Sequence, residues 1–126
     1  MKRLYRLRKN ADIQRVRLRG QSKANKFLVL VARPNQLKWS RFGFAVSKRI
    51  GNAVKRNKIK RQLREAARLR KNDIQPGWDL LFIARSPISR ADYHQIATAV
   101  ESLLVQMQLF PVASKDMVEQ KERLDS

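Results

Sequence analysis

The sequence predicts an α+β fold: a single domain with helices packed on one small mixed sheet, in the order α-β-β-α-β-α. Three observations carry this prediction. Two apolar, β-branched runs, FLVLVAR at 27–33 and WDLLFIAR at 78–85, have the length and composition of buried strands. A third run, RFGFAVS at 41–47, alternates with period two. Between them lie the 23 residues KRIGNAVKRNKIKRQLREAARLR, from Lys48 to Arg70, whose apolar positions recur with the period of a helix.

In chain order, Asn10 or Asp12 is expected to cap a short first helix. Ile13, Val16 and Leu18 face inward, Arg15, Arg17 and Arg19 face out, and Gly20 ends the helix. The strand at 27–33 stops before Pro34, and Pro34 to Ser40 forms a turn carrying Lys38 and Trp39. In the next strand Phe42, Phe44 and Val46 point to the core. Gly43, Ala45 and Ser47 form a smooth opposite surface that a ligand backbone can approach closely.

The central helix follows, with Asn52 as N-cap and Gly51 allowing a sharp entry. At about 100° per residue, Ile59, Leu63, Ala66 and Ala67 share one side, and Asn57, Lys60, Arg61, Arg64 and Arg68 share the other. Such a helix docks on a core while presenting cations outward. Pro76-Gly77 marks a turn before the strand at 78–85, which Pro87 closes. Ser89 or Arg90 leads into a last helix from about Ala91 to Gln108, with Tyr93, Ile96, Val100, Leu103, Leu104 and Met107 as its core stripe. Residues 1–110 form the domain, and 111–126 are a polar tail expected to be disordered.

Charge narrows the class of partner. The net charge is +19 over 126 residues and is unevenly distributed. Residues 1–71 hold 24 Lys and Arg against Asp12 and Glu65, a net of +22, whereas the remainder holds five basic against eight acidic residues, a net of −3. A polyanion is the expected partner of the first part, and the last part completes the fold. With no cysteine there is neither a disulfide framework nor a thiolate metal site. No stretch of signal-peptide or membrane-spanning character occurs, so a cytoplasmic protein without a membrane partner is expected. Hydrolysis of a phosphodiester by protein groups needs clustered carboxylates or a histidine acid and base. The basic part has only Asp12 and Glu65, on separate helices, and the single histidine, His94, reads as a surface residue near a helix start.

At Ser47-Lys48-Arg49-Ile50-Gly51-Asn52-Ala53-Val54-Lys55-Arg56-Asn57-Lys58-Ile59-Lys60-Arg61, followed by Leu63-Arg64-Glu65, the chain resembles the signature of the protein subunit of bacterial ribonuclease P. The flanks agree: Leu7-Arg8-Lys9 before Asp12, Gly20, Arg41 and Gly43 ahead of the signature, and Asp79 with Ile83-Ala84-Arg85 behind it. The similarity spans about residues 5–108. It implies a ribosomal-protein-like fold with a left-handed β-α-β crossover through the basic helix, a handedness that periodicity does not reveal.

The resemblance also implies a function: binding a catalytic RNA and helping it remove the 5′ leader of precursor tRNA. The protein is then the non-catalytic component of an endoribonuclease, inactive alone, with no obligate protein partner. The RNA-binding positions are Lys48 and Arg49 ahead of the helix, and Arg56, Asn57, Lys58, Lys60, Arg61, Arg64 and Arg68 on it. The single-stranded leader is expected in a cleft between the first helix and the sheet, at Ile13, Arg17, Val31, Ala45 and Ser47. The protein itself holds no cofactor, and Mg²⁺ is expected in the RNA-containing holoenzyme.

Many relatives carry leader-stacking aromatics where this chain has Ile13, Arg17 and Val31. Strand alternation sends Phe27 to the opposite side from Leu28 and Leu30. The leader is therefore expected to be held mainly by phosphate contacts from Arg17 and Lys48. A ribosomal or RNA-chaperone protein would share the charge but has no reason to carry this signature. A DNA-compacting protein is disfavoured by the lack of a helix-turn-helix or minor-groove arm.

Overall fold

A computed structural model describes residues 2–111. The polar tail expected to be disordered falls, apart from Pro111, outside the described residues. The order is α1 (Asn10–Arg19), β1 (Gln21–Ala24), β2 (Leu28–Pro34), β3 (Arg41–Ala45), α2 (Ala53–Arg70), β4 (Trp78–Ala84) and α3 (Tyr93–Gln106), with short 3-10 turns between several of them. The sheet runs β1-β2-β4-β3: β2 pairs antiparallel with β1 and β4, and β3 pairs parallel with β4. The α+β expectation holds, with α2 as the connection between the parallel pair.

Each face of the sheet has its own core. On one, Leu28, Leu30, Ala32, Phe42, Leu80 and Phe82 pack against Ile59, Leu63, Ala66 and Ala67 of α2 and Ile96, Val100, Leu103 and Leu104 of α3. Phe44 and Phe82 stack there with ring centroids 5.8 Å apart. Each fully buried aliphatic side chain stabilises the fold by about 1.5–3 kcal/mol, so this two-helix layer dominates. On the opposite face Val31 and Leu81 form a smaller cluster with Val16 of α1 and with Leu7 of the N-terminal arm.

Several expectations are corrected. β1, QSKA, was not anticipated: all four residues are exposed on an edge strand, so neither period nor hydrophobicity marks it. Leu18 is 81% exposed rather than inward, because α1 touches the sheet along a narrow line through Val16. Neither Asn10 nor Asp12 caps α1: Lys9 holds the cap position without a side-chain bond, and Asp12 lies in the first turn. Residues 86–90 form a 3-10 turn, and α3 is started by Asp92, whose capping box with Gln95 satisfies two backbone donors.

Gly43 is buried, not an open floor. A β-carbon there would meet Leu81 and Leu7 at 3.1–3.3 Å. Two glycines are required by geometry. At Gly20 a β-carbon would lie 2.7 Å from the Val16 carbonyl oxygen and from Val31, so only glycine lets the chain leave α1 against the sheet. Gly77 has φ of +90°, which other residues rarely adopt. Gly51, by contrast, is extended, and its entry into α2 uses no glycine-specific conformation.

Candidate nucleic-acid interface

α2 is the longest element, and its two faces separate as the periodicity predicts. Ile59, Leu63, Ala66 and Ala67 are the buried residues. The Asn52 side chain accepts the Lys55 backbone N–H at 2.9 Å, fixing the start of the helix. Outward, Asn57, Lys58, Arg61 and Arg68 are exposed, and Arg56, Lys60 and Arg64 are half-buried with their stems along the protein.

These cations are not equivalent. Arg68 donates to both Glu65 oxygens, at 2.6 and 2.9 Å. Those hydrogen bonds hold the Glu65 carboxyl below its ordinary range and raise the Arg68 guanidinium. Arg56, Lys58, Lys60, Arg61 and Arg64 have no ion-pair partner among the described residues. With Lys55, six cations on one helix lack an ion pair among the described residues and attract a polyanion, whereas Arg68 arrives already matched.

Ahead of the helix, Lys48 and Arg49 are exposed on a 3-10 turn anchored by buried Ile50. The turn follows Ser47, which is also exposed, at the end of the sheet where β2 begins and β3 and β4 finish. It therefore joins the basic helix to the sheet face under α1.

On that face the predicted cleft residues divide. Ile13 and Ala45 are half-buried against the small cluster, and Arg17 is exposed one turn along α1 from Ile13. Val31 is only 6% exposed beneath Val16, Leu7 and Leu81, so it supports the cleft from below and presents little surface to a ligand. The accessible row is the next one along the strands, where Val29, Ile83 and Ala45 are register neighbours and each is half-buried. Val29 and Ile83 were missed. Strand alternation from Val31 would have found Val29, whereas Ile83 enters only through pairing with another strand. Phe27 is just outside β2 and packs with the same cluster as Leu28 and Leu30, away from this face, so the expected opposition to those residues fails.

The far end of the same face is locked by Arg41. Its Nε and Nη2 donate to Asp79 at 2.8 and 2.7 Å, and Nη1 donates to Asp12 of α1 at 3.3 Å. The Asp79 hydrogen bond, opposed by burial, leaves the guanidinium raised above its ordinary value. Asn35 adds a bond to Asp79 at 3.0 Å. One arginine thus ties α1 to the sheet at this end of the face. Among the described residues no three of His, Cys, Asp and Glu are placed to hold a metal ion, and His94 is exposed on α3.

Fold and surface together define a small α+β protein whose longest helix concentrates unpaired cations beside a shallow apolar cleft. The ribonuclease P family model matches residues 1–108. The ribonuclease P protein component of Roseiflexus castenholzii is 49% identical over 105 residues, covering 82% of this chain and 86% of that protein. That of Caldanaerobacter subterraneus subsp. tengcongensis is 38% identical over 120 residues, covering 95% and 97%. Among solved structures, the Staphylococcus aureus RNase P protein superposes with a TM-score of 0.79 at 40% identity, covering 84% of this chain and 97% of that one. The Thermotoga maritima RNase P protein gives 0.75 at 33% identity, covering 80% and 96%. The chain belongs to the ribonuclease P protein component family.

Proposed function

We propose that this chain is the RNA-binding, non-catalytic subunit of a ribonuclease P ribonucleoprotein, which removes the 5′ leader of precursor tRNA in the cytoplasm. The outer face of α2, with Arg56, Asn57, Lys58, Lys60, Arg61 and Arg64, grips the catalytic RNA, and Lys48 and Arg49 extend that contact toward the cleft. The single-stranded leader lies over Val29, Ile83 and Ala45, past Ile13 and Ser47, with its phosphates reached by Arg17 and Lys48. The observation that carries this reading is the row of uncompensated cations on α2, in a helix whose opposite face is fully spent on the core.

The protein's part in the reaction is positioning and charge neutralisation. Asp12, Asp79 and Glu65 are each engaged by arginines, so they are poor candidates for a Mg²⁺ site. In this reading Mg²⁺ belongs to the RNA, and no step runs through a protein-held metal. No helix among the described residues is long and apolar enough to cross a membrane.

The test is reconstitution with a bacterial ribonuclease P RNA. At low Mg²⁺ the protein should restore cleavage of a precursor tRNA at its mature 5′ end, and RNA-free protein should cut nothing. Cleavage by the protein alone, or no effect of the protein on the RNA, would overturn the proposal.

A further inference from the structure

Tyr93, the first residue of α3, carries the one buried side-chain polar atom without a hydrogen-bond partner among the described residues, its hydroxyl oxygen. The ring is half-buried against the core layer beneath α2 and α3, which fixes where the hydroxyl sits. A buried hydroxyl without a partner is unfavourable, because its water has been removed and nothing replaces it.

Tyr93 shares a depression of about 310 Å³ with Lys58, Arg61, Gln62 and Glu65 of α2. Lys58 and Arg61 have no ion-pair partner among the described residues. Glu65 is the only acid in this lining, and both of its oxygens accept from Arg68, at 2.6 and 2.9 Å. The carboxylate is thus committed to Arg68 while a hydroxyl lining the same depression goes without an acceptor. Glu65 and Arg68 are each close to half exposed, and a pair so well solvated holds weakly enough for a phosphate to compete for the guanidinium. Once displaced, the carboxylate would stand against the RNA backbone drawn in by Lys58 and Arg61 unless another donor took it up. Tyr93 is that donor.

We propose that Tyr93 is a positioning residue that releases Arg68 to the RNA: as a phosphate takes the guanidinium, Glu65 leaves Arg68 and accepts the Tyr93 hydroxyl instead. The two Arg68–Glu65 hydrogen bonds break, guanidinium–phosphate and hydroxyl–carboxylate bonds form, and no proton is transferred. The inference rests on the reading of α2 as the RNA-binding face.

The test is the affinity of the intact protein for a bacterial ribonuclease P RNA across a salt series. Arg68→Gln should flatten the log–log slope by about 1, the loss of one phosphate contact. Tyr93→Phe changes no charge, yet it should flatten the slope by the same amount, because Arg68 then stays with Glu65. Adding Glu65→Gln to Tyr93→Phe frees Arg68 without the hydroxyl and should bring the slope back to the parental value. The thermal midpoint of Tyr93→Phe should not fall, since an unpartnered hydroxyl gives up no bond.

A parental slope for Arg68→Gln or for Tyr93→Phe overturns the proposal, as does a flattened slope that Glu65→Gln fails to restore. A lower midpoint for Tyr93→Phe also overturns it, by showing that the hydroxyl has a partner in the free protein. Lys60, Arg61 and Arg64 exchanged together to Ala separate the two readings. Weaker binding by that variant beside a parental slope for Tyr93→Phe overturns the exchange alone, and unchanged binding by it overturns the α2 reading as well.

Discussion

Arg41 and Arg61 are the same side chain put to opposite uses. Arg41 faces two carboxylates, and its donors are consumed in holding α1 to the sheet. Arg61 stands on the outer face of α2 without an acid partner among the described residues, so its charge is available to a ligand. The difference lies in where the few acids fall. Asp12 and Asp79 gather at one end of the sheet and Glu65 neutralises Arg68, leaving the middle of α2 uncompensated. A cation's role in this protein is set by its neighbours in space more than by its place in a basic run.

Arg41→Ala removes the cation that holds α1 to the sheet. It leaves mostly buried Asp79 without its cation, at a cost of about 3 kcal/mol, the low end for a broken buried pair because Arg41 is itself partly solvated. Thermal unfolding should show a fall on the order of 10 °C. An unchanged midpoint would mean that the pair does not hold α1 in place.

At the binding end, Arg17→Gln with Lys48→Gln should weaken leader binding about tenfold and reduce the log–log salt slope by about 1.4, two single-strand phosphate contacts at roughly 0.7 each. Leaders of different base sequence should bind alike, because the accessible row of Val29, Ile83 and Ala45 is aliphatic. Strong base preference with a shallow slope would show that stacking contacts exist elsewhere in the cleft.

Smaller effects are expected within α2 itself. Asn52→Ala removes the N-cap and should cost about 1 kcal/mol of stability in denaturant unfolding, without changing the cationic face. The Glu65–Arg68 pair predicts a weak pH dependence. Because the folded-state Glu65 pKa is lowered, its contribution is complete above the ordinary value of 4.5 and is lost as pH falls through the lower folded value. Helicity followed by circular dichroism between neutral and acid pH should decline less for Glu65→Gln than for the parent. Identical curves would assign the acid response to other carboxylates.

Elements with strong periodicity or long apolar runs were legible in the sequence. α2 declared both faces, and its buried residues Ile59, Leu63, Ala66 and Ala67 are those expected. β1 carried no signal because an exposed edge strand is specified by its partner's register, not by its own side chains. The Arg41, Asp79 and Asp12 cluster joins residues far apart in sequence, and nothing local announces which of 29 cations meets which of ten acids. The cleft was legible in part. Ala45 lies on the expected face, but the burial of Val31 and Gly43 depends on Leu7 and Val16, which reach the sheet only through tertiary packing.

We propose the uncompensated middle of α2 as the principal contact with structured RNA. Its most direct test is the affinity of the parent and of the Lys60→Ala, Arg61→Ala, Arg64→Ala triple variant for a bacterial ribonuclease P RNA across a salt series. Arg61 is exposed, and Lys60 and Arg64 are half-buried with no ion-pair partner among the described residues, so each substitution should cost about 1 kcal/mol or less and unfolding of the variant is measured alongside. The predicted result is weaker binding at every salt concentration, with a log–log slope shallower by roughly 2–3, because each cation removed leaves one phosphate with its counterions. Superimposable lines for the two proteins would contradict it.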